Sequence, residues 1–168
     1  MRCIEMTAVG FVSRDSPFED ERDRGLISKV VVDEDLTPAL DGIESWSHVY
    51  VIFWIGKAEQ EDDGVLQHGN EGVGVFAARS PIHPNPIGLT LVEVVKREGR
   101  VLWVRGLDAY DGTPVLDIKP YPDWESGRLI VVTEFEVPRW LEEILDERGD
   151  LASHSGQGAR IKRGEIPR

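Results

Sequence analysis

The densest run of potential chemistry is Arg79-Ser80-Pro81-Ile82-His83-Pro84-Asn85-Pro86-Ile87-Gly88, where a guanidinium, a hydroxyl, an imidazole and an amide stand among three prolines. Each of these side chains can hydrogen-bond a polar ligand. Proline restricts the chain before folding, so such a loop loses little entropy when it forms a binding rim. The same groups could equally satisfy the backbone of a rigid turn. A second run, Gly106 to Tyr121, sets Asp108, Asp111, Asp117, Lys119 and Tyr121 into apolar sequence. Asp111-Gly112 is turn chemistry. Asp117, Lys119 and Tyr121 share strand parity and so one face. They form either a polar cluster at a barrel mouth or an exposed face with an ion pair.

Other catalytic patterns find no support. The four histidines lack HxH or HxxxH spacing, and one cysteine, Cys3, excludes an intrachain disulfide and a cysteine-rich zinc site. Neither Ser45 nor Ser47 lies in a G-x-S-x-G elbow. No strand leads through GxGxxG into a helix, which argues against a doubly wound nucleotide fold. His48 sits in the most apolar stretch and reads as a hydrogen-bonded core residue. Trp46, Trp54, Trp103 and Trp140 read as core, leaving Trp124 as the one indole available for stacking.

The elements that must position these residues are mostly strands. Ile4 to Val12, Leu26 to Val32, Trp46 to Ile55, Gly72 to Ala77, Leu89 to Val95, Val101 to Leu107, Pro114 to Ile118 and Leu129 to Val137 carry strand character. Trp46 to Ile55 is apolar on both faces and reads as central. Glu98-Gly99-Arg100 closes a hairpin. Thr37-Pro38 starts a short helical turn with Thr37 as N-cap. Pro138 to Glu147 spaces Trp140, Leu141, Ile144 and Leu145 as one amphipathic helix. The expected fold is mainly β: a small single-domain β-barrel of about seven or eight strands with one C-terminal helix. Residues 1–136 would form the barrel, and 137–168 a helix and basic tail.

With 31 acidic and 19 basic residues the net charge is -12, which opposes broad attraction to nucleic acid. An RNA partner would need a local basic surface. Arg79, Lys96, Arg97, Arg100 and Arg105, with Arg160, Lys162, Arg163 and Arg168 in the tail, are candidates, although each alone reads as a solvated surface charge. No apolar stretch is long enough to cross a bilayer and no secretion signal is evident, so the expectation is a cytoplasmic protein without a membrane partner.

Longer motifs say more. Gly74-Val75-Phe76-Ala77-Ala78-Arg79-Ser80, then His83-Pro84-Asn85-Pro86-Ile87-Gly88, then Leu91-Val92-Glu93, resemble the signature of the TsaA/TrmO-like family. Leu107-Asp108, followed by Asp111-Gly112-Thr113-Pro114-Val115-Leu116-Asp117-Ile118-Lys119-Pro120-Tyr121, is similar to its second signature, and the likeness runs from about residue 4 to 136. The resemblance implies a barrel-like homodimer that uses S-adenosylmethionine. Its implied reaction is methylation of N6 of threonylcarbamoyladenosine at position 37, in the anticodon loop of tRNA. By motif position the implied cofactor contacts are Arg22, Asp23, Arg24, Gly56, Lys57, Arg79, Leu89, Arg105, Gly106, Leu107 and Asp108. Glu21-Arg22-Asp23-Arg24-Gly25-Leu26 stands where the family often has Pro-Arg-Gln-Pro-Gly-Leu, and Gly56-Lys57 where it often has His-Gln. Asp117, Lys119 and Tyr121 are the candidates for the catalytic, substrate side. Two rival expectations are a non-enzymatic RNA- or ligand-binding barrel and a methyltransferase of a different substrate.

Overall fold

The computed structural model describes residues 3–15, 25–56, 73–79, 81–121, 134–136, 141 and 160–162. Six strands, β1 (Gly10–Ser13), β2 (Ile27–Val32), β3 (His48–Trp54), β4 (Ile87–Glu98), β5 (Val101–Arg105) and β6 (Pro114–Tyr121), close into a barrel. The order around it is β1-β2-β5-β4-β3-β6, with β6 returning to β1, and every pairing is antiparallel. The chain divides into two compact units, Met1–Tyr121 and Pro122–Arg168. Within the second, β7 (Glu134–Glu136) and β8 (Arg160–Lys162) pair in parallel.

Alternation builds the barrel. Side chains on successive strand residues point to opposite faces, and the inward set is almost entirely valine. Val12, Val30, Val32, Val49, Val51, Phe53, Val92, Leu102, Val104 and Val115 fill the interior, all buried. β-Branched side chains are stiff and suit a pleated surface, so valine fills the narrow interior at small entropic cost. Leu40 joins this core from a 3-10 turn, Glu34–Leu40, between β2 and β3. Arg97 fixes that turn by donating to the carbonyls of Leu40 and Thr37 and pairing with Asp41 at 2.9 Å. Arg97 is therefore a largely buried structural tie rather than the solvated charge its type suggests.

Gly88 belongs to the inward row of β4. A Cβ there would lie 2.2 Å from a ring carbon of Phe53, so the glycine is what lets that ring cross the barrel. Gly88→Ala is expected to cost about 2 kcal/mol, the usual scale of overpacking. In urea melts, Phe53→Leu in the same chain should make the combined loss smaller than the sum; strict additivity would overturn this reading.

Several expectations need correction. The first strand is Gly10–Ser13, not the longer Ile4 to Val12 run. Instead of a strand over Gly72 to Ala77, the described part holds one bridging residue, Gly74, and a 3-10 turn, Val75–Ala77. Thr37 is no N-cap: Asp33 precedes the turn, and the Thr37 hydroxyl donates back to the Glu34 carbonyl. β3 is buried on one face only, because barrel closure, not two-sided burial, places it between two neighbours. His48 is consequently half-buried on the outside, with Nδ1 3.1 Å from Ser47 Oγ. Trp54 and Trp103 also lie on outward rows, whereas Trp46 packs against the core as expected. The expected helix over Pro138 to Glu147, apart from residue 141, lies outside the described residues, as does Trp124.

A candidate active site at one end of the barrel

Topology gathers the sequence motifs. In a closed antiparallel barrel, successive strands alternate in direction. Given the observed order, the ends of β1, β3 and β5 and the starts of β2, β4 and β6 share one end. The β1–β2, β3–β4 and β5–β6 connections therefore all depart from this end. These connections contain Arg22 to Arg24, Gly56 to Pro86, and Gly106 to Thr113 respectively. The other end holds the Glu34–Leu40 turn and the tight β4–β5 hairpin.

Hydrogen bonds join the two motif-bearing connections. The Arg79 guanidinium donates to the Leu89 carbonyl at the start of β4. On the next residue, the Thr90 hydroxyl, itself nearly buried, donates to a carboxylate oxygen of Asp108. Arg79, Leu89 and Asp108 are thus linked through two adjacent residues of β4. Leu107 is core, which anchors Asp108 beside it. The Gly106 amide donates to the Leu26 carbonyl, clipping this segment to the entrance of β2.

Arg14 completes the frame. Its backbone amide donates to Asp111 Oδ1 at 2.9 Å, its Nε to the buried Ser28 hydroxyl at 3.0 Å, and an NH2 to the Leu107 carbonyl at 3.2 Å. Desolvation lowers the Arg14 pKa, while the charges of Asp108 and Asp111 act to raise it. Guanidinium stays protonated under such opposition, so Arg14 places a fixed positive charge beside Asp108. Asp111-Gly112 is the expected corner, with Gly112 at φ 76.

The outer face of β6, β3, β4 and β5 continues from this end. Register sets Asp117 beside Ile52 and Ile52 beside Leu89, so Asp117 and Leu89 lie two strands apart in one row. At about 4.8 Å per strand, their backbones are roughly 10 Å apart. The next row places Lys119, Tyr50 and Leu91 side by side, and the one after it Tyr121, His48, Glu93 and Arg105. Lys119 pairs with Asp117 at 2.8 Å, Arg105 pairs with Glu93 at 3.5 Å, and Tyr121 meets Tyr50 edge-on at 5.6 Å.

Among the residues named from the sequence, Arg79, Leu89 and Asp108 are linked, with Gly106 and Leu107 in the same segment. Gly56, two residues past β3, takes a left-handed conformation, φ 83, at this same end. Arg105 instead faces outward with Glu93, and Asp117, Lys119 and Tyr121 lie down the outer face. Arg22, Asp23, Arg24 and Lys57 lie outside the described residues. Sequence reasoning missed Arg14, Ser28 and Thr90. Thr90 left a trace, being a polar residue in the inward parity of an apolar strand; Arg14 left none, since its partners come from other strands. Among the described residues no group of three or more His, Cys, Asp or Glu is placed to hold a metal, and no helix is long and apolar enough to cross a membrane.

Comparison with known proteins places this architecture. The family model described as the tRNA-methyltransferase O N-terminal domain matches residues 12–124. A protein of Archaeoglobus fulgidus named "Probable S-adenosyl-L-methionine-binding protein" is 42% identical over 127 residues, 72% of this chain and 35% of its own length. A Mus musculus protein named "tRNA (adenine(37)-N6)-methyltransferase" is 42% identical over 104 residues, 56% of this chain and 23% of its own length. The chain thus spans about a third and a quarter of these two relatives. A solved structure titled "Crystal structure of TrmO" shares the fold with a TM-score of 0.60 at 24% identity, over 88% of this chain and 77% of that one. The matched residues run from β1 through the whole barrel, so this chain belongs to the tRNA-methyltransferase O N-terminal domain family.

Proposed function

We propose that this chain binds S-adenosylmethionine at the Arg79–Asp108 end of the barrel and methylates N6 of threonylcarbamoyladenosine at position 37 of tRNA. The observation that carries the reading is the meeting of Arg79, Leu89 and Asp108 through adjacent residues of β4. The donor set suits the cofactor. Asp108 can accept hydrogen bonds from an ammonium or from ribose hydroxyls, and Arg79 can donate to a carboxylate. Leu89, exposed on the outer face, offers apolar surface to an adenine ring. The bound cofactor would supply an electrophilic methyl on a sulfonium.

The chain's own residues then have to orient the acceptor nitrogen and receive its proton. Asp117, in the row of Leu89, is the carboxylate for that task, and its ion pair with Lys119 at 2.8 Å aims it. Tyr121, braced against Tyr50, would hold the nucleoside. Positioning supplies most of the acceleration and proton acceptance a smaller factor.

The chain is proposed to work as a homodimer through the outer rows of β3 and β4. Leu91, Ile87 and Trp54 are all at least 38% exposed there, forming an apolar strip. Such a strip marks an interaction surface. Leu91→Glu is expected to convert dimer to monomer in analytical ultracentrifugation; a variant that sediments like the parent would exclude this face.

The experiment for the function is transfer of labelled methyl from S-adenosylmethionine to tRNA with and without the threonylcarbamoyl group. Label on the modified tRNA alone supports the reading. Methylation of neither, with cofactor still bound, would move the protein to a different substrate, a reading that the net charge of -12 favours.

A further inference from the structure

Phe76 is 80% exposed, yet it is fixed in place. It is the middle residue of the 3-10 turn Val75–Ala77. Amides of Ala77 and Ala78 donate to the carbonyls of Gly74 and Val75, and the buried side chains of Val75 and Ala78 hold the turn down. That geometry turns Phe76 outward. Its ring meets the His83 ring edge-on, at 5.9 Å between centroids and 62° between planes. His83 in turn lies with Nε2 3.0 Å from the Ala78 carbonyl; a carbonyl only accepts, so Nε2 carries the proton and the imidazole is anchored. A single exposed apolar side chain needs no explanation. A phenyl ring braced on a pinned turn, three residues before Arg79, is a different matter: three residues span at most about 11 Å of chain.

We infer that Phe76 is a stacking platform for a base of the substrate RNA, placed beside the cofactor end of the barrel by its turn and by His83. This deepens the proposed function and rests on it. Single-stranded RNA loops are recognised by bases that splay out and stack on aromatic rings, and an enzyme that modifies a base must take it out of its own stack. An aromatic face also needs no positive charge, which suits an RNA contact on so acidic a chain. Phe76 is a positioning residue in this scheme and takes no part in bond making.

The test uses the full chain and a fluorescent synthetic anticodon stem-loop bearing threonylcarbamoyladenosine, with binding read by anisotropy. Phe76→Ala should weaken stem-loop binding by about tenfold or more, and Phe76→Trp should restore it to within about twofold, the range expected of base–aromatic stacking. Calorimetric affinity for S-adenosylmethionine and the sedimentation coefficient should be unchanged in both variants. Stem-loop binding by Phe76→Ala within about twofold of the parent would overturn the inference. So would a shift in association state, which would make Phe76 a contact between copies, or absence of stem-loop binding by the parent. A parent that binds the stem-loop, loses that binding with Phe76→Ala, and transfers no methyl would sink the proposed reaction while leaving the stacking platform standing.

Discussion

Asp108→Ala is expected to weaken S-adenosylmethionine binding about 100-fold, because hydrogen bonds to a charged group contribute roughly 1.5–3 kcal/mol and each 1.4 kcal/mol is a factor of ten. Asp108 combines features that no other described carboxylate at this end shares. It follows a core leucine, it holds a threonine hydroxyl of β4, and Arg14 stands near enough to feel its charge. A carboxylate so framed needs little reorganisation to meet a cation or a hydroxyl, and preorganisation is where such affinity comes from. Thr90→Val should lower affinity less, since it removes the support and leaves the charge. Calorimetry on the three proteins decides the matter. Equal affinity in the parent and Asp108→Ala would remove this end of the barrel from cofactor binding.

Arg14→Met should destabilise the fold by about 3 kcal/mol, the scale of leaving two buried acceptors without donors. The orphaned groups would be the fully buried Ser28 hydroxyl and the Leu107 carbonyl. Methionine keeps much of the aliphatic stem, so lost packing contributes little to the difference. Adding Ser28→Ala to Arg14→Met should recover part of the loss, because removing both members of a buried pair costs less than removing one. Urea denaturation of the four proteins closes the cycle. If Arg14→Met alone melts with the parent, Arg14 is no part of the frame. Cofactor affinity should fall with it, since Arg14 steadies the Leu107-Asp108 segment.

Much of this was legible in the chain itself, for physical reasons. Val101 to Leu107 and Leu89 to Val95 alternate and flank a glycine turn, and they form the β4–β5 hairpin. Pro114 to Ile118 was visible as a strand, and the shared parity of Asp117, Lys119 and Tyr121 carried its face beyond Ile118. Proline weakens any strand expectation, yet Pro120 pairs with Val49 in register. The region around Gly74 misled because its valine and phenylalanine favour strands, while two local hydrogen bonds make a 3-10 turn instead. Trp54 and Trp103 misled for another reason: size suggested the core, but a narrow barrel lined by valine has no room for indoles. Trp103 instead lies outside, with the ammonium groups of Lys29 and Lys96 4.7 and 4.6 Å from its ring centre. Arg79 and Asp108 stood out by residue type, but Leu89 and the grouping of all three were reachable only through family likeness, since no spacing rule relates residues joined by the order of strands around a barrel.

That order carries one more consequence. The ring is completed by β1 and β6 through two register pairs, Gly10 with Val115 and Phe11 with Pro114, whereas every other joint runs to at least four. Proline brings no amide to such a joint, and bonds from Val9, Val12 and Gly112 on either side reinforce it. A hoop parts at its shortest stave joint. Transient unzipping of this barrel is expected to begin there, and the first stitches to slip would be those beside Arg14 and Asp111, which couples breathing of the cylinder to loosening of the Asp108 end.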